Sequence, residues 1–248
     1  MIETIKNIES WIKDYVINQA HSNGVIIGMS GGKDSLVTAK LCANALGKEN
    51  VLGIIMPNDK MQDLEIAINS CEEIGIKYHI INIKETYDNI LNSISPIFTS
   101  HDKPISSVTT INLPPRIRTN YLYAIAGSLN YLVANTSNLS EAMVGYTTKW
   151  GDNIGDFAPL ATFTKTEVCK IGELLNLPTE LVYKTPDDGL SGISDEEKLG
   201  FSYDELDNYI RLGIKSTNFQ KIEKLNKLSN HKRLGVVKFD SQLKNHFE

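Results

Sequence analysis

Apolar positions along this chain recur with two different periods, and the switches between them mark its elements. Residues 2 to 22 place Ile2, Ile5, Ile8, Ile12, Tyr15 and Val16 at three- and four-residue steps, which predicts an amphipathic helix ending near Gly24. The run Val25 to Met29 (VIIGM) is short, continuous and rich in β-branched residues, as expected of a strand covered on both faces. Ser30 to Ser35 then turns through glycines into a helix whose inner face is Leu36, Ala39, Leu41, Ala43 and Leu46, closed by Gly47. The alternation repeats with a strand over 51–56, a helix over 61–73, a strand over 76–83 and a helix over 86–94. Residues 95–110 lose their period and read as a surface loop, longer than most structureless connections. Asn112 reads as an N-cap with Pro114 and Pro115 in the first turn of a helix reaching about Gly127, followed by a strand over 131–134. Thr164 with Glu167, Ser194 with Glu197 and Ser202 with Glu205 have the spacing of capping boxes, and the last clear helix is expected over 218–228. Strands and helices in alternation, with apolar strands, predict an α/β fold: a doubly wound, mostly parallel sheet with helices on both faces.

Composition narrows the picture. The 248 residues are 41% hydrophobic and 22% charged, which excludes a disordered or fibrous chain, and no linker-like stretch or repeat divides them, so a single domain over 1–248 is expected. With 25 Lys and Arg against 30 Asp and Glu, the net charge of −5 is not the footprint of a nucleic-acid binder. No apolar run approaches the roughly 18 to 20 residues that span a bilayer, and the N-terminus lacks the apolar core of a signal peptide, so the cytoplasm is the expected compartment. Cys42, Cys71 and Cys169 are sparse, form no CxxC, and sit among helix-spaced apolar residues, which makes them core rather than disulfide or zinc residues.

The candidate chemistry begins at Gly28-Met29-Ser30-Gly31-Gly32-Lys33-Asp34-Ser35, between the first strand and its helix. Backbone N–H groups of a glycine turn and the positive end of a helix dipole converge there on an anion, so the loop predicts a phosphate site. It is not a Walker A loop, because an acid stands where GxxxxGK[ST] has none. A carboxylate at Asp34 repels phosphate oxygens unless a divalent cation stands between them, so the loop also predicts Mg²⁺ bridging Asp34 to a polyphosphate.

SGGKDS resembles the pyrophosphate loop of the ATP pyrophosphatases, which cleave ATP between its α and β phosphates and transfer AMP to substrate oxygen. Three further stretches resemble the NAD synthetases within that superfamily: Asn112 to Arg118 (NLPPRIR), Asn135 to Glu141 with Gly145 to Asp152 and Asp156, and Lys184 to Leu190 with His231-Lys232-Arg233 behind it. The resemblance covers nearly the whole chain in order. It implies a reaction in which nicotinic acid adenine dinucleotide (deamido-NAD), ATP and ammonia give NAD, AMP and pyrophosphate. It also implies a homodimer, while charge and hydropathy leave no nucleic-acid or membrane partner expected. Because the loop begins at residue 28, no fused amidohydrolase domain is expected and nitrogen should come from free ammonia. Asn135 and Asp187 depart from the common pattern. An acid at Asp187 beside polyphosphate is repulsive, which leaves it outside the expected site. A tRNA-modifying adenylating enzyme, or a catalytically silent nucleotide-binding module, is the alternative.

The resemblance assigns the roles. Gly28, Ser30, Gly31, Gly32, Lys33, Asp34 and Ser35 would hold the pyrophosphate, with Thr136 and Lys165 also on ATP and Mg²⁺ on Asp34 and Glu141. Arg116, Lys149, Asp156, His231 and Lys232 would contact the dinucleotide. Arg116 and Arg118 lie two apart, roughly 200° around a helix, so one binds and the other is expected in a structural ion pair. Ammonia at neutral pH is mostly ammonium, and a buried Asp152 carboxylate would bind the cation and assist its deprotonation. The acyl adenylate must be kept from water, which makes 95–110 and 185–195 the candidate lids. Trp11, Trp150, Tyr121 and Tyr123 are expected in core packing rather than on a ligand ring.

Overall fold

A computed structural model of the chain describes residues 1–184 and 194–239. Strands β1 (Gly24–Gly28), β2 (Val51–Ile55), β3 (Lys77–Ile80) and β4 (Tyr131–Val133) pair in the order β3-β2-β1-β4, every pair parallel, with Val25 opposite both Val51 and Leu132. The chain thus steps outward from β1 to β3, then returns to the other side of β1. That reversal opens a crevice beyond the carboxyl ends of β1 and β4, where open α/β sheets bind ligands.

Period-two alternation sends the strands' side chains into two cores. Val25, Ile27, Val51 and Ile55 pack on one face beneath helices α1 (Ile2–Lys13), α2 (Lys33–Leu46), α3 (Leu64–Ile74) and α7 (Lys165–Leu174). Ile26, Ile54 and Val133 pack on the other with Ile117 and Ala126 of α5 (Ser107–Leu129). Ile26 is fully buried, and its truncation to Ala would cost about 2–5 kcal/mol. A third apolar cluster joins Val144, Leu199, Phe201, Leu206 and Ile222 of the helical region formed by α6 (Leu139–Val144), α9 (Asp195–Leu199), α10 (Tyr203–Leu212) and α11 (Phe219–Arg233). Cys42, Cys71 and Cys169 are free and buried, as expected. Among the described residues no helix is long and apolar enough to cross a membrane.

The structure departs from the sequence reading where polar residues continue a helix. Helix α4 (Lys84–Ser100) runs well past Ile94, and only residues 101–106 separate it from α5. Hydroxyls of Ser93, Thr99 and Ser100 donate to carbonyls one turn back, so this stretch stays helical without an apolar period. The lid expected over 95–110 is therefore two helix ends and a short connection. Asn112 is not an N-cap. Ser106 is, its hydroxyl accepting from the Thr109 N–H, and Pro114 and Pro115 sit inside α5, where neither can donate a helix bond. At the N-terminus, α1 passes into a π-helical stretch, Asp14–Gln19, that keeps Val16 buried and lets the Tyr15 hydroxyl donate to the Asp156 carbonyl at 3.1 Å. Trp11 and Trp150, expected in the core, keep 43% and 44% of their surface exposed.

Candidate active site

The loop between β1 and α2 forms the predicted cradle. Gly31 has φ +79°, and a Cβ there would lie 2.9 Å from both the Cβ and the carbonyl oxygen of Asp63, so only glycine fits the turn. The Ser35 hydroxyl donates to the Gly32 carbonyl at 2.9 Å, and the Ser30 hydroxyl accepts from the Gly32 N–H at 3.2 Å. These bonds fix the turn at the start of α2, whose first N–H groups have no helical partner. Gly28 ends β1 with room for a Cβ, so its smallness is not sterically required. Lys33 is buried, with its ammonium beside the Cys169 thiol. Behind the cradle, Asp63 forms an ion pair with Lys184.

Two acids and one lysine meet beside this cradle. Asp34 lies on the first turn of α2, Glu141 on the first turn of α6, and Lys165 is the first residue of α7. The Lys165 Nζ donates to Asp34 Oδ2 at 2.9 Å and to Glu141 Oε1 at 2.7 Å, with the lysine only 4% exposed. Asn138 holds the acids' other oxygens: its Nδ2 donates to Asp34 Oδ1 at 2.8 Å and its backbone N–H to Glu141 Oε2 at 3.3 Å. Burial raises the Glu141 carboxyl to about 7, with Lys165 opposing that shift and Asp34 adding to it. Burial alone would lower the Lys165 ammonium, but the two carboxylates outweigh it and lift the group well above the usual lysine range. A phosphate-binding glycine cradle thus lies beside two convergent carboxylate oxygens that already hold one positive charge. Among the described residues no third His, Cys, Asp or Glu joins the acids. That donor set fits Mg²⁺, which takes one or two protein carboxylates and completes its shell with phosphate oxygens and water.

Thr136 is half-buried just beyond β4, at the crevice, and its side chain makes no hydrogen bond among the described residues. Beside it, Asn135 Nδ2 donates to the carbonyls of Asp152 and Ile154, at 2.9 and 3.1 Å, and its Oδ1 accepts from the Ser137 N–H at 2.9 Å. Asn135, one of the two departures from the common pattern, therefore ties the 152–154 segment to the end of the sheet. Asp187 lies outside the described residues, as does most of the lid expected over 185–195.

The residues assigned to the dinucleotide are spread more openly. Arg116 and His231 are exposed, and Lys149 is half-buried with its Nζ 5.3 Å from the Trp150 ring centre. The Arg116 Nε donates to the Lys149 carbonyl at 3.2 Å, which brings those two together. Arg118 turns inward, and its Nε donates to the Met56 carbonyl at 2.9 Å; among the described residues it makes no salt bridge within 4.0 Å, and the charge it faces is Asp152. Asp156 accepts from the Val133 N–H at 2.7 Å and from the Tyr123 hydroxyl at 3.3 Å, so strand β4 itself orients this acid. His231, Lys232 and Arg233 are the last turn of α11 rather than a tail. The Lys232 Nζ donates to the carbonyls of Gly145 and Thr147, at 2.7 and 2.6 Å, which staples α11 to the loop after α6. A cavity of about 440 Å³ lies between that loop and the sheet, lined by Ser137, Asn153, Asp156, Phe157 and Lys232 among others.

Asp152 differs from expectation. As a residue it is exposed rather than buried, with Oδ1 accepting from the Thr148 N–H at 2.6 Å. Burial of its carboxylate raises its pKa, opposed by that N–H, by Lys232 and by Arg118.

Sequence reasoning gave no role to Asn138. Its signal was the capping-box spacing: Asn138 caps α6, accepting from the Glu141 N–H at 3.0 Å while Glu141 returns to its N–H. The boxes at Thr164, Ser194 and Ser202 form as expected, and this fourth one differs only in having Asn at its head.

The chain matches the family model described as NAD synthase over residues 4–245. It is 38% identical over 247 residues to the NH(3)-dependent NAD(+) synthetase of Thermococcus sibiricus, a match covering 93% of this chain and 94% of that one. To the NH(3)-dependent NAD(+) synthetase of Methanocaldococcus jannaschii it is 40% identical over 227 residues, covering 90% and 86%. Among solved structures, NMN synthetase from Francisella tularensis superposes with a TM-score of 0.88 at 30% identity, over 96% of this chain and 98% of that one. The NH3-dependent NAD synthetase from Campylobacter jejuni superposes with a TM-score of 0.75 at 25% identity, over 96% and 98%. The match runs through the cradle, both acids and the lysine between them, and the chain belongs to the NAD synthase family.

Proposed function

We propose that this chain is an ammonia-dependent, AMP-forming ligase that converts deamido-NAD to NAD. The observation that carries this reading is the buried Asp34, Lys165 and Glu141 cluster at the mouth of the glycine cradle. A carboxylate is a poor electrophile. Attack of the nicotinate oxygen on the α phosphorus of ATP expels pyrophosphate and leaves an acyl adenylate, from which ammonia displaces AMP, releasing a proton.

Gly31, Gly32, Ser30 and Ser35 orient the departing pyrophosphate through backbone N–H groups and hydroxyls. Lys165 is a fixed positive charge within reach of the same oxygens, and Thr136 faces the nucleotide from the end of β4. Asp34 and Glu141 would hold Mg²⁺, which supplies neutralisation of the charge growing on the leaving pyrophosphate. Arg116, Lys149, Asp156, His231 and Lys232 position the dinucleotide, Lys232 and Asp156 through the segments they pin. Asp152, its carboxylate desolvated and its pKa raised, receives ammonium and takes its proton before attack. Val108 and Ile111, each 67% exposed on α5, support a homodimer meeting through that helix, measurable by sedimentation equilibrium.

The test is incubation of the purified protein with ATP, Mg²⁺, ammonium and deamido-NAD. NAD with stoichiometric AMP is expected; ADP, or no AMP, overturns the assignment. Because the structural neighbour from Francisella tularensis is an NMN synthetase, a parallel arm replaces deamido-NAD with nicotinic acid mononucleotide. A larger kcat/KM in that arm would make the mononucleotide the substrate of the same site.

A further inference from the structure

One buried acid has no part in the chemistry above. Asp207, on α10, is 5% exposed and stands behind the cluster. Its Oδ1 accepts from the Ser140 hydroxyl, and its Oδ2 accepts from both the N–H and the hydroxyl of Thr166, each at 2.8 Å. The Ser140 oxygen accepts in turn from the Lys165 N–H at 3.0 Å. Ser140 precedes Glu141 on α6, and Thr166 follows Lys165 on α7. One carboxylate therefore grips the neighbours of both residues whose side chains meet 2.7 Å apart on the other side.

Helix capping explains only part of this, since Ser140 and Asp207 meet the first-turn N–H groups of Lys165 and Thr166. Helix α7 already begins with a complete box, in which Thr164 accepts from the Glu167 N–H and Glu167 accepts from the Thr164 N–H at 2.8 Å. An exposed helix start would satisfy the remaining N–H groups with water. What Asp207 adds is a tie from α6 to α7 through α10, whose Tyr203 ring also lies 5.0 Å from the Lys165 Nζ. Displacing a catalytic group by about 1 Å is enough to cost on the order of 10²-fold in rate.

We propose that Asp207 is a positioning residue that fixes Glu141 against Lys165, so that the acid pair and the ammonium keep the spacing the ATP site needs. This rests on the reading of Glu141 and Lys165 as parts of that site. In Asp207→Asn the amide oxygen still accepts from Thr166 while the Ser140 hydroxyl loses its acceptor and the bond must reverse; in Asp207→Glu the charge stays and the distance changes. Both variants should still melt cooperatively, at a lowered temperature that stays above the assay temperature. Both should lower kcat for ATP–pyrophosphate exchange by about tenfold or more with the KM for ATP little changed, as loss of an outer-shell partner does. Unchanged kcat in both, or full rescue by Glu, overturns the proposal.

A second readout does not need activity. In protein labelled with ¹⁵N-lysine and free of nucleotide, the Lys165 ammonium resonance is identified by its disappearance in Lys165→Met. It should shift or broaden in Asp207→Asn; an unmoved resonance overturns the proposal. If the resonance moves but the wild-type protein exchanges no pyrophosphate, the functional reading falls and the positioning role stands.

Discussion

The phosphate end and the dinucleotide end of this molecule are built differently. At the first, Asp34, Asn138, Glu141 and Lys165 are joined by hydrogen bonds within one another's reach, mostly buried, and presented from the first turns of α2, α6 and α7. At the second, Arg116 and His231 are exposed and Lys149 rests against an exposed Trp150. The difference follows from what each end must do. A polyphosphate with its cation demands fixed charges whose desolvation is already met before the ligand arrives. A dinucleotide of two sugars and two rings is long, and its contacts can be ordered as it binds. The same contrast predicts where substitutions injure chemistry and where they injure affinity.

The largest effect should come from Lys165→Met. Removing the ammonium leaves two buried carboxylates facing each other, a broken buried ion network of the kind that costs about 3–5 kcal/mol. Loss of its charge from the leaving pyrophosphate should lower adenylation by about 10²–10³-fold. Quenched-flow measurement of AMP formation, with calorimetry for stability, separates the two losses. Near-normal AMP formation would dissolve the distinction between the ends.

Next is a pH effect confined to the buried end. The folded-state pKa of Glu141, about 7, lies above its ordinary value of 4.5, so the folded protein binds more protons than the unfolded chain between those limits. Stability without ligands should therefore fall as pH rises from about 4.5 to about 7, by at most about 3 kcal/mol. Glu141→Gln should flatten most of that slope in urea titrations across the window. The raised pKa of Lys165 leaves it charged throughout and contributes no slope there.

These effects bear on residues that were legible in unequal measure from sequence. The glycine turn and Asp34 could be read because the turn's chemistry is local: φ > 0 at Gly31 and free N–H groups at a helix start are written in six consecutive residues. The order of strands and helices was legible for the same reason, since apolar period reports burial directly. The convergence of Asp34 with Glu141 and Lys165, 107 and 131 positions apart from it in effect by tertiary packing, was reachable only through family resemblance, and Asn138 and Asp207 were not reached at all. Helix α4 and the start of α5 were misread because hydroxyls bonded to the helix backbone stand in for an apolar period. Asp152 was expected to be buried because its proposed chemistry favours that; the residue keeps an exposed side in a loop whose Thr148 and Gly151 are buried, while its carboxylate is desolvated enough to raise its pKa.

The dinucleotide end gives the intermediate effects. Asp152→Asn should slow amidation by about 10²-fold, the scale of a lost general base, while ATP–pyrophosphate exchange stays within a small factor. Equal loss in both assays would remove its role toward ammonium. Lys149→Ala and His231→Ala should raise the KM for deamido-NAD by about tenfold, the worth of one charged hydrogen bond, with kcat little changed. Their stabilities should stay within about 0.5 kcal/mol of wild type, as expected of side chains at or near the surface with no buried hydrogen bond to lose. A large loss of kcat in either would place it among the fixed groups instead.

The smallest effect probes the rigid end from behind. Thr38 lies one turn beyond Asp34 on α2, fully buried, and its hydroxyl has no hydrogen-bond partner among the described residues. A hydroxyl buried in this way carries its desolvation cost without a compensating bond, and Val has the same branched shape without it. Thr38→Val should therefore stabilise the protein by about 1 kcal/mol, raising Tm by roughly 2–4 °C for a chain of this size. Exchange kinetics should not change, because the substitution alters neither the cradle's backbone nor the groups that meet Lys165. A loss of stability would mean that the hydroxyl is bonded in solution. Altered exchange at unaltered stability would mean that the region behind Asp34 is tuned for the site as well as packed against it.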